Sequence, residues 1–152
     1  MLKDEEFIRN LKTNSAAKSV HHGFCGGLLE HTVSILNLCR YYAAAYDFLS
    51  ADLLYAAALY HDIGKTKELS AFPENDYTDD GQLLGHIVIG VEMLDEAIRA
   101  IPGFPPKLAS ELKHCILSHH GELGVCVPEE AGPSRRAMAL NLADMTDAGC
   151  RR

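Results

Sequence analysis

Residues 51–65 read ADLLYAAALYHDIGK, and this stretch determines the fold that the sequence predicts. Its apolar residues recur at helical spacing, with Leu54 and Ala58 on the face that ends in His61. Ser50 precedes the run and suits the N-cap of a helix. The stretch therefore predicts a helix that is packed among other helices and carries polar side chains at its C-terminal end.

The adjacent pair His61-Asp62 lies where this helix is expected to end, because Gly64 follows and glycine favours a helix C-terminus. Consecutive helical residues point about 100° apart, so two neighbours reach one cavity most easily at a helix end. The carboxylate of Asp62 has two oxygens and can bridge two cations. Lys65 has two interpretations that stay open here: contact with a phosphate oxygen, or a cation placed favourably at a helix C-terminus.

Helical periodicity continues through most of the chain and predicts four further helices. They are expected at Gly27 to about Asp47, Gln82 to Ala100, Pro106 to about His119, and Ser134 to Ala148. Polar residues with glycine and proline at 66–81 and 121–133 predict long loops, the first with at most a short hairpin. The predicted fold class is an all-α bundle of about five to seven helices in one domain spanning 1–152. Residues 1–20 are expected to be either a linker stub or an N-terminal helix.

Composition places the chain among ordinary globular proteins, with 152 residues, 47% hydrophobic and 23% charged. No apolar run approaches the roughly 20 residues that cross a bilayer, and the start MLKDEEFIRN is too polar for a signal peptide. We therefore expect a cytoplasmic protein without membrane contact. Five scattered cysteines without a C-x-x-C pair argue against a disulfide framework and against a zinc ribbon.

The formal net charge of −7 limits the partners that the sequence predicts. An acidic surface repels a polyphosphate backbone, so this domain alone is not expected to hold nucleic acid strongly. Bound divalent cations would reverse the local charge at a site. The charge thus argues against autonomous affinity for nucleic acid but not against chemistry on phosphate groups.

Histidines recur at the ends and beginnings of the predicted helices. A single histidine on a helix face is most simply a neutral core residue, hydrogen-bonded to a carbonyl group. A set spread over all five predicted helices is harder to explain in this way. Converging helix ends bring such side chains into one pocket, and neutral imidazoles bind first-row metals. With two aspartates that lie at similar positions, the full set of candidate ligands is His31, His61, Asp62, His86, His119, His120 and Asp144.

The order H…HD…H…HH…D in an all-helical chain resembles the HD-domain superfamily of metal-dependent phosphohydrolases, along nearly the whole sequence. The segments SVHHGFCGGLLEHTVSI, LYHDIGKTKEL, GQLLGHIVIG and ILSHHGELG are also similar to the HD domain of YhaM-type 3′-5′ exoribonucleases. Members of that group usually carry an N-terminal OB-fold and further C-terminal residues. Neither is recognised in residues 1–152, so we expect an excised domain or a minimal relative.

The resemblance implies two metal positions that share Asp62. The side chains at the first are His31, His61, Asp62 and Asp144. Those at the second are Asp62, His86 and His119, with His120 nearby. One or two divalent ions are therefore expected; the resemblance implies manganese, and this ligand set also suits iron, nickel, cobalt, zinc or magnesium.

The resemblance also implies which residues act on the substrate. Asp62 and Lys65 would be catalytic, Asp62 by orienting or deprotonating the water and Lys65 by contacting phosphate. His21 and His22 would bind substrate at the rim of the site; two solvated surface histidines are the alternative.

Three functions are compatible with these candidate residues and with the family resemblance. The first is hydrolysis of phosphodiester bonds in single-stranded RNA or short oligonucleotides. The second is an HD-type phosphomonoesterase or cyclic-nucleotide phosphodiesterase that acts on a small nucleotide. The third is a metal-binding regulatory module without turnover. The partner is accordingly a phosphate ester, RNA or nucleotide, and the oligomeric state is left open by the sequence.

Overall fold

The structure of the protein is a computed structural model that describes residues 5–18, 24–71, 74–120 and 134–150. Six helices of nine or more residues and two short ones are found in this part of the chain. They are α1 (Glu5–Thr13), α2 (Gly27–Ala45), α3 (Ala51–Tyr60), α4 (Lys65–Glu68), α5 (Asp79–Leu83), α6 (Gly85–Arg99), α7 (Pro106–Leu117) and α8 (Arg135–Cys150). Extended backbone pairs within these ranges only at an isolated antiparallel bridge between Leu69 and Tyr77. The all-α prediction is confirmed.

Helices α2, α3, α7 and α8 enclose the larger of two apolar cores. α2 packs against α3 and α8, and α7 also contacts both of those helices. The side chains of Ile35, Leu54, Ile116 and Leu140, one from each helix, are wholly buried. Burying a leucine or isoleucine side chain contributes roughly 1.5–3 kcal/mol, so this four-helix contact is a main source of stability.

A smaller core joins α1 to α6 through Ile63, the residue that follows the pair His61-Asp62. Ile63 is buried in a cluster with Phe7 of α1 and with Ile89 and Met93 of α6. Residues 5–13 are therefore a helix that packs on the rest of the bundle. The turn that carries His61 and Asp62 connects the two cores.

Helix α3 ends at Tyr60, one residue before the polar pair, and Gly64 does not end it in the expected way. His61 and Gly64 keep right-handed helical angles, with φ of −56° and −60°. A Cβ atom at Gly64 would lie 2.0 Å from the carbonyl oxygen of His86. The prediction of a glycine helix stop at this position is wrong, because the glycine provides room for a close contact between two backbone segments.

The helix expected over residues 82–100 is divided into two. α5 ends at Leu83, and α6 begins at Gly85, whose φ of 72° is left-handed. Glycine adopts that angle at no steric cost, and the helical hydrogen bonds are interrupted before His86. The backbone N–H of His86 instead donates to Glu68 Oε1 at 3.0 Å.

The ends of the other helices follow the sequence with small differences. Pro106 occupies the first turn of α7 as predicted, and Ser134 Oγ accepts a hydrogen bond from the backbone of Ala137 at the start of α8. Ser50 holds the N-cap position of α3, but its side chain makes no capping hydrogen bond. The predicted loop 121–133 lies outside the described residues. None of the helices described is long and apolar enough to cross a bilayer.

Candidate metal centre

Polar side chains from five helices or their ends meet around Asp62. His61 and Asp62 lie in the turn after α3, and His119 lies in the turn after α7. The residues His61 and His119 are wholly buried, and Asp62 is 3% exposed. The remaining members of the cluster are His31 of α2, His86 of α6, His120 after α7 and Asp144 of α8.

The two carboxylate oxygens of Asp62 face two different groups of side chains. Oδ2 lies 3.4 Å from His31 Nε2 and 3.6 Å from His61 Nε2. Oδ1 lies 3.5 Å from His86 Nε2 and 3.8 Å from His119 Nε2. On each side of Asp62, three residues offer one ligand atom each, and the three atoms lie within 4.8 Å of one another. We call His31, His61 and Asp144 the inner group, and His86, His119 and His120 the outer group.

The two imidazole rings of the inner group present nitrogen atoms to each other. His31 Nε2 and His61 Nε2 are 3.2 Å apart. Their other ring nitrogens are engaged: His31 Nδ1 lies 2.8 Å from Asp147 Oδ2, and His61 Nδ1 lies 2.8 Å from the carbonyl oxygen of Ala58. Metal ligation requires both rings to be neutral, and because both acceptors take a proton from Nδ1, the neutral rings would point two lone pairs at one another. A cation between the rings, held also by Asp144, would remove this repulsion, so the inner group fits a metal ion.

The outer group contains buried polar atoms without a partner. Among the described residues, no hydrogen bond reaches Asp62 Oδ1, His86 Nε2 or His119 Nε2. Both rings are fixed from behind, since His86 Nδ1 lies 3.1 Å from Glu68 Oε1 and His119 Nδ1 donates to the carbonyl oxygen of Ile116 at 2.6 Å. An unpaired buried polar atom costs about 1–3 kcal/mol. Three such atoms in one place fit a second cation.

The cluster reaches solvent beside the outer group. His120 is exposed, and the side chains of Asp144, Lys65 and His86 are partly exposed. Lys65 Nζ donates to Asp62 Oδ2 at 2.6 Å. The positive charge of Lys65 therefore stands at the opening, next to the carboxylate that both groups share.

Burial and neighbouring charges shift the pKa values of the cluster in opposite directions. Burial disfavours the charged form of His31, but three neighbouring carboxylates, first that of Asp144, outweigh it and raise the pKa to about 10. Burial lowers the pKa of His119 to about 3. Burial would also raise the pKa of Asp62, but Lys65 and the surrounding histidines hold it well below its usual value. At neutral pH the protein without metal therefore holds a charged His31, a neutral His119 and an ionised Asp62.

Two carboxylates behind the histidines are missed by the sequence analysis. Asp147 is buried, lies against His31 Nδ1 and accepts a hydrogen bond from Ser34 Oγ. Glu68 is buried and accepts from the backbone of His86 while contacting its ring. The available signal was spacing: each acid follows a candidate site residue, Asp144 or Lys65, by three positions and so shares its side of a helix.

The structure places the predicted site residues with two exceptions. The seven predicted metal ligands lie in the cluster, and Lys65 lies at its opening. His21 and His22, the expected substrate contacts, lie outside the described residues. Their role stays a prediction.

Comparison with known proteins gives consistent matches. The family model of the HD domain matches residues 28–149. A 3′-5′ exoribonuclease YhaM from Bacillus subtilis (strain 168) is 46% identical over 111 residues, which are 70% of this chain and 34% of the relative. The protein of the same name from Oceanobacillus iheyensis is 38% identical over 146 residues, 95% of this chain and 45% of the relative. The chain thus spans less than half the length of these relatives. No solved structure matches it significantly.

Proposed function

The chain belongs to the HD domain family, and we propose that it is a metal-dependent phosphohydrolase that cleaves phosphodiester bonds in single-stranded RNA. The observation that carries the proposal is the placement of Asp62, whose two oxygens face two groups that each fit a cation. Two cations a few ångströms apart can activate a water molecule and hold the phosphoryl oxygens during in-line attack.

We propose that the two groups hold one ion each, with Asp62 shared between them. The ligands of the inner ion would be His31, His61, Asp62 and Asp144, and those of the outer ion Asp62, His86, His119 and His120. Imidazole and carboxylate ligands without thiolate suit several first-row metals. We propose manganese as the ion in use, with iron, cobalt, nickel, zinc and magnesium as the ions to compare.

Two residues, the buried Asp62 and Lys65 at the opening, would act on the substrate. A lowered pKa keeps the carboxylate of Asp62 ionised and makes it a weak base, so we assign it to orient the attacking water. The amine of Lys65 stands next to that carboxylate at the solvent side. A phosphate group that enters would draw the amine to itself, and the amine would stabilise negative charge that develops on the phosphoryl oxygens.

The choice of RNA as substrate is supported by the relatives. Matching proteins at 38–47% identity carry the name 3′-5′ exoribonuclease YhaM. We transfer to this chain both the substrate and the direction in that name. The proposal also places the protein in the cytoplasm, with RNA as its partner.

Incubation with single-stranded RNA labelled at its 5′ end tests this proposal. In the presence of manganese, we expect a ladder of progressively shorter labelled products and release of mononucleotides. A chelator in excess should stop the reaction, because bound ions would activate the attacking water. A labelled strand that stays intact under these conditions would contradict RNA as the substrate.

A second candidate function is favoured by the acidic surface of the chain. A formal net charge of −7 repels a long polyanion more than a single nucleotide. The same reaction mixtures with a nucleoside monophosphate and with a cyclic nucleotide distinguish the two functions. Release of phosphate or opening of the cyclic ester, without shortening of RNA, would assign the chain as a small-nucleotide phosphohydrolase.

Metal binding is expected to depend on pH through His31. The pKa of this residue is raised to about 10 in the protein without metal, so a proton occupies the ring at neutral pH and competes with the inner ion. The apparent affinity for manganese should therefore rise by up to about tenfold per pH unit between pH 6.5 and 8.5. Calorimetry in buffers of different ionisation enthalpy should show release of about one proton per inner ion at pH 7. An affinity that stays constant over this range would show that His31 does not release a proton when the ion binds.

A further inference from the structure

Four histidines of the centre, His31, His61, His86 and His119, are supported in a repeating way. In each group, one ring donates to the carbonyl oxygen three residues earlier: His61 to Ala58 and His119 to Ile116. In each group, a second ring lies against a carboxylate instead: His31 against Asp147, and His86 against Glu68. Each group thus has one ring fixed by its own backbone and one ring fixed by an acid from elsewhere in the chain.

We propose that Asp147 and Glu68 are positioning residues, one for each metal ion. Asp147 would set His31 for the inner ion, and Glu68 would set His86 for the outer ion. This inference rests on the two-ion centre of the proposed function and adds residues outside the ligand set. A carboxylate behind a histidine fixes which nitrogen carries the proton and makes the other nitrogen a stronger ligand.

Asp147 binds two side chains of α2 from its position on α8. Its Oδ2 lies 2.8 Å from His31 Nδ1, and its Oδ1 accepts from Ser34 Oγ. His31 and Ser34 are nearly one helical turn apart, so the carboxylate spans that turn with both oxygens. The residue is 5% exposed, and a buried carboxylate held on both oxygens has little freedom to reorient. The orientation of the His31 ring is therefore determined by the packing of α8 on α2.

Glu68 binds a single residue twice. Its Oε1 accepts from the backbone N–H of His86 at 3.0 Å and lies 3.1 Å from His86 Nδ1. The left-handed Gly85 directs that N–H towards Glu68. The main chain of Glu68 is itself fixed, because its carbonyl oxygen accepts from the backbone of Thr78 at 2.9 Å. Both the position of His86 along the chain and the direction of its ring are thus set by one carboxylate.

The test is manganese binding by Asp147→Asn and Glu68→Gln, measured without RNA. Each variant keeps the shape of the side chain and loses its charge. We expect wild type to bind two ions and to show the electron paramagnetic resonance signal of a coupled manganese pair. Each variant should bind one ion with unchanged affinity and the other roughly 10–100-fold more weakly, with the signal of an isolated ion. Glu92→Gln, an exposed acid on α6, is the matched control and should behave as wild type.

Double variants assign each acid to its ion. Glu68→Gln should add nothing further to the loss caused by His86→Ala, because both act on the outer ion, and it should add its full effect to His31→Ala. Asp147→Asn should show the reverse pattern. Variants that weaken both ions equally, or neither, would overturn the inference.

Two further measurements separate this inference from folding and from the proposed function. Thermal unfolding of the metal-free proteins shows whether a variant has lost its fold. If Asp147→Asn does not fold, Ser34→Ala is tested in its place, because that change removes a hydrogen bond to Asp147 and alters no proposed ligand. Unchanged binding of the inner ion by Ser34→Ala would then contradict a positioning role for Asp147. If the wild-type protein binds only one ion, the two-ion centre is overturned, and the pairing of each acid with one ion falls with it. If the wild-type protein binds two ions but each variant weakens both of them, only the pairing is overturned.

Discussion

Replacement of Asp62 by alanine should reduce hydrolysis of RNA by more than about a thousandfold and should weaken both metal ions together. The reason is that Asp62 is shared: one oxygen faces His31 and His61, and the other faces His86 and His119. Loss of any other proposed ligand removes contacts to one ion only. Rates at saturating manganese and the amount of bound manganese after gel filtration measure the two effects.

The fold of the Asp62→Ala protein should remain helical, because the two apolar cores do not include this residue. Asp95→Asn is the control, since Asp95 forms surface ion pairs with Arg99 and Lys113, and pairs of that kind contribute about 0–1 kcal/mol. Retention of one ion at full affinity in Asp62→Ala would contradict the bridge. Unfolding of the wild-type protein by a chelator would instead favour a structural metal site and the regulatory module without turnover.

Replacement of Gly64 by alanine should destabilise the protein by about 3 kcal/mol or more, although the change adds one methyl group. The new Cβ atom would lie 2.0 Å from the carbonyl oxygen of His86 and 2.7 Å from the amide nitrogen of Gly90. Both of these neighbours are main-chain atoms, so relief requires α6 to move away as a unit. The outer metal ion should be weakened as well, because His86 moves with α6. Urea unfolding and manganese binding test the two expectations.

Gly90→Ala is the matched control on the opposite side of the same contact. A Cβ atom at Gly90 would lie 3.5 Å from its nearest neighbour, the amide nitrogen of Gly64, which is an ordinary distance. Alanine in a helix is favoured over glycine by up to about 1 kcal/mol, so this variant should be at least as stable as wild type. Equal stability of the two variants would show that the close approach of Gly64 to α6 is not a constraint.

The sequence predicts the helices well because apolar spacing is a local pattern, and it also identifies the side chains that the structure brings together around Asp62. Apolar residues at helical spacing give α2, α3, α7 and α8 to within a few residues. The candidate ligands stand out since histidines at helix ends are chemically distinctive. The family resemblance then implies the proposed role of Asp62, which spacing alone leaves open.

The errors have a common physical cause in contacts between distant parts of the chain. A glycine after an apolar helix commonly ends that helix, and this pattern predicts a helix stop at Gly64. The structure instead requires glycine at this position because the backbone of His86 passes too close for a Cβ atom. The break at Gly85 serves a contact with Glu68, and periodicity does not show it. The role of Asp147 depends on its contact with His31, which is 116 residues away in the sequence.

The two groups of the centre also differ in when they can be assembled. Glu68 and His86 are 18 residues apart, so the support of the His86 ring is complete once α6 has been synthesised. His31 and Asp147 are 116 residues apart, and the inner group lacks both acids of α8 until the last helix is made. Contacts between such distant residues form late, because a long loop must first be closed. A nascent chain therefore has no complete inner group, and the proposed two-ion centre would form only after α8 has docked on α2.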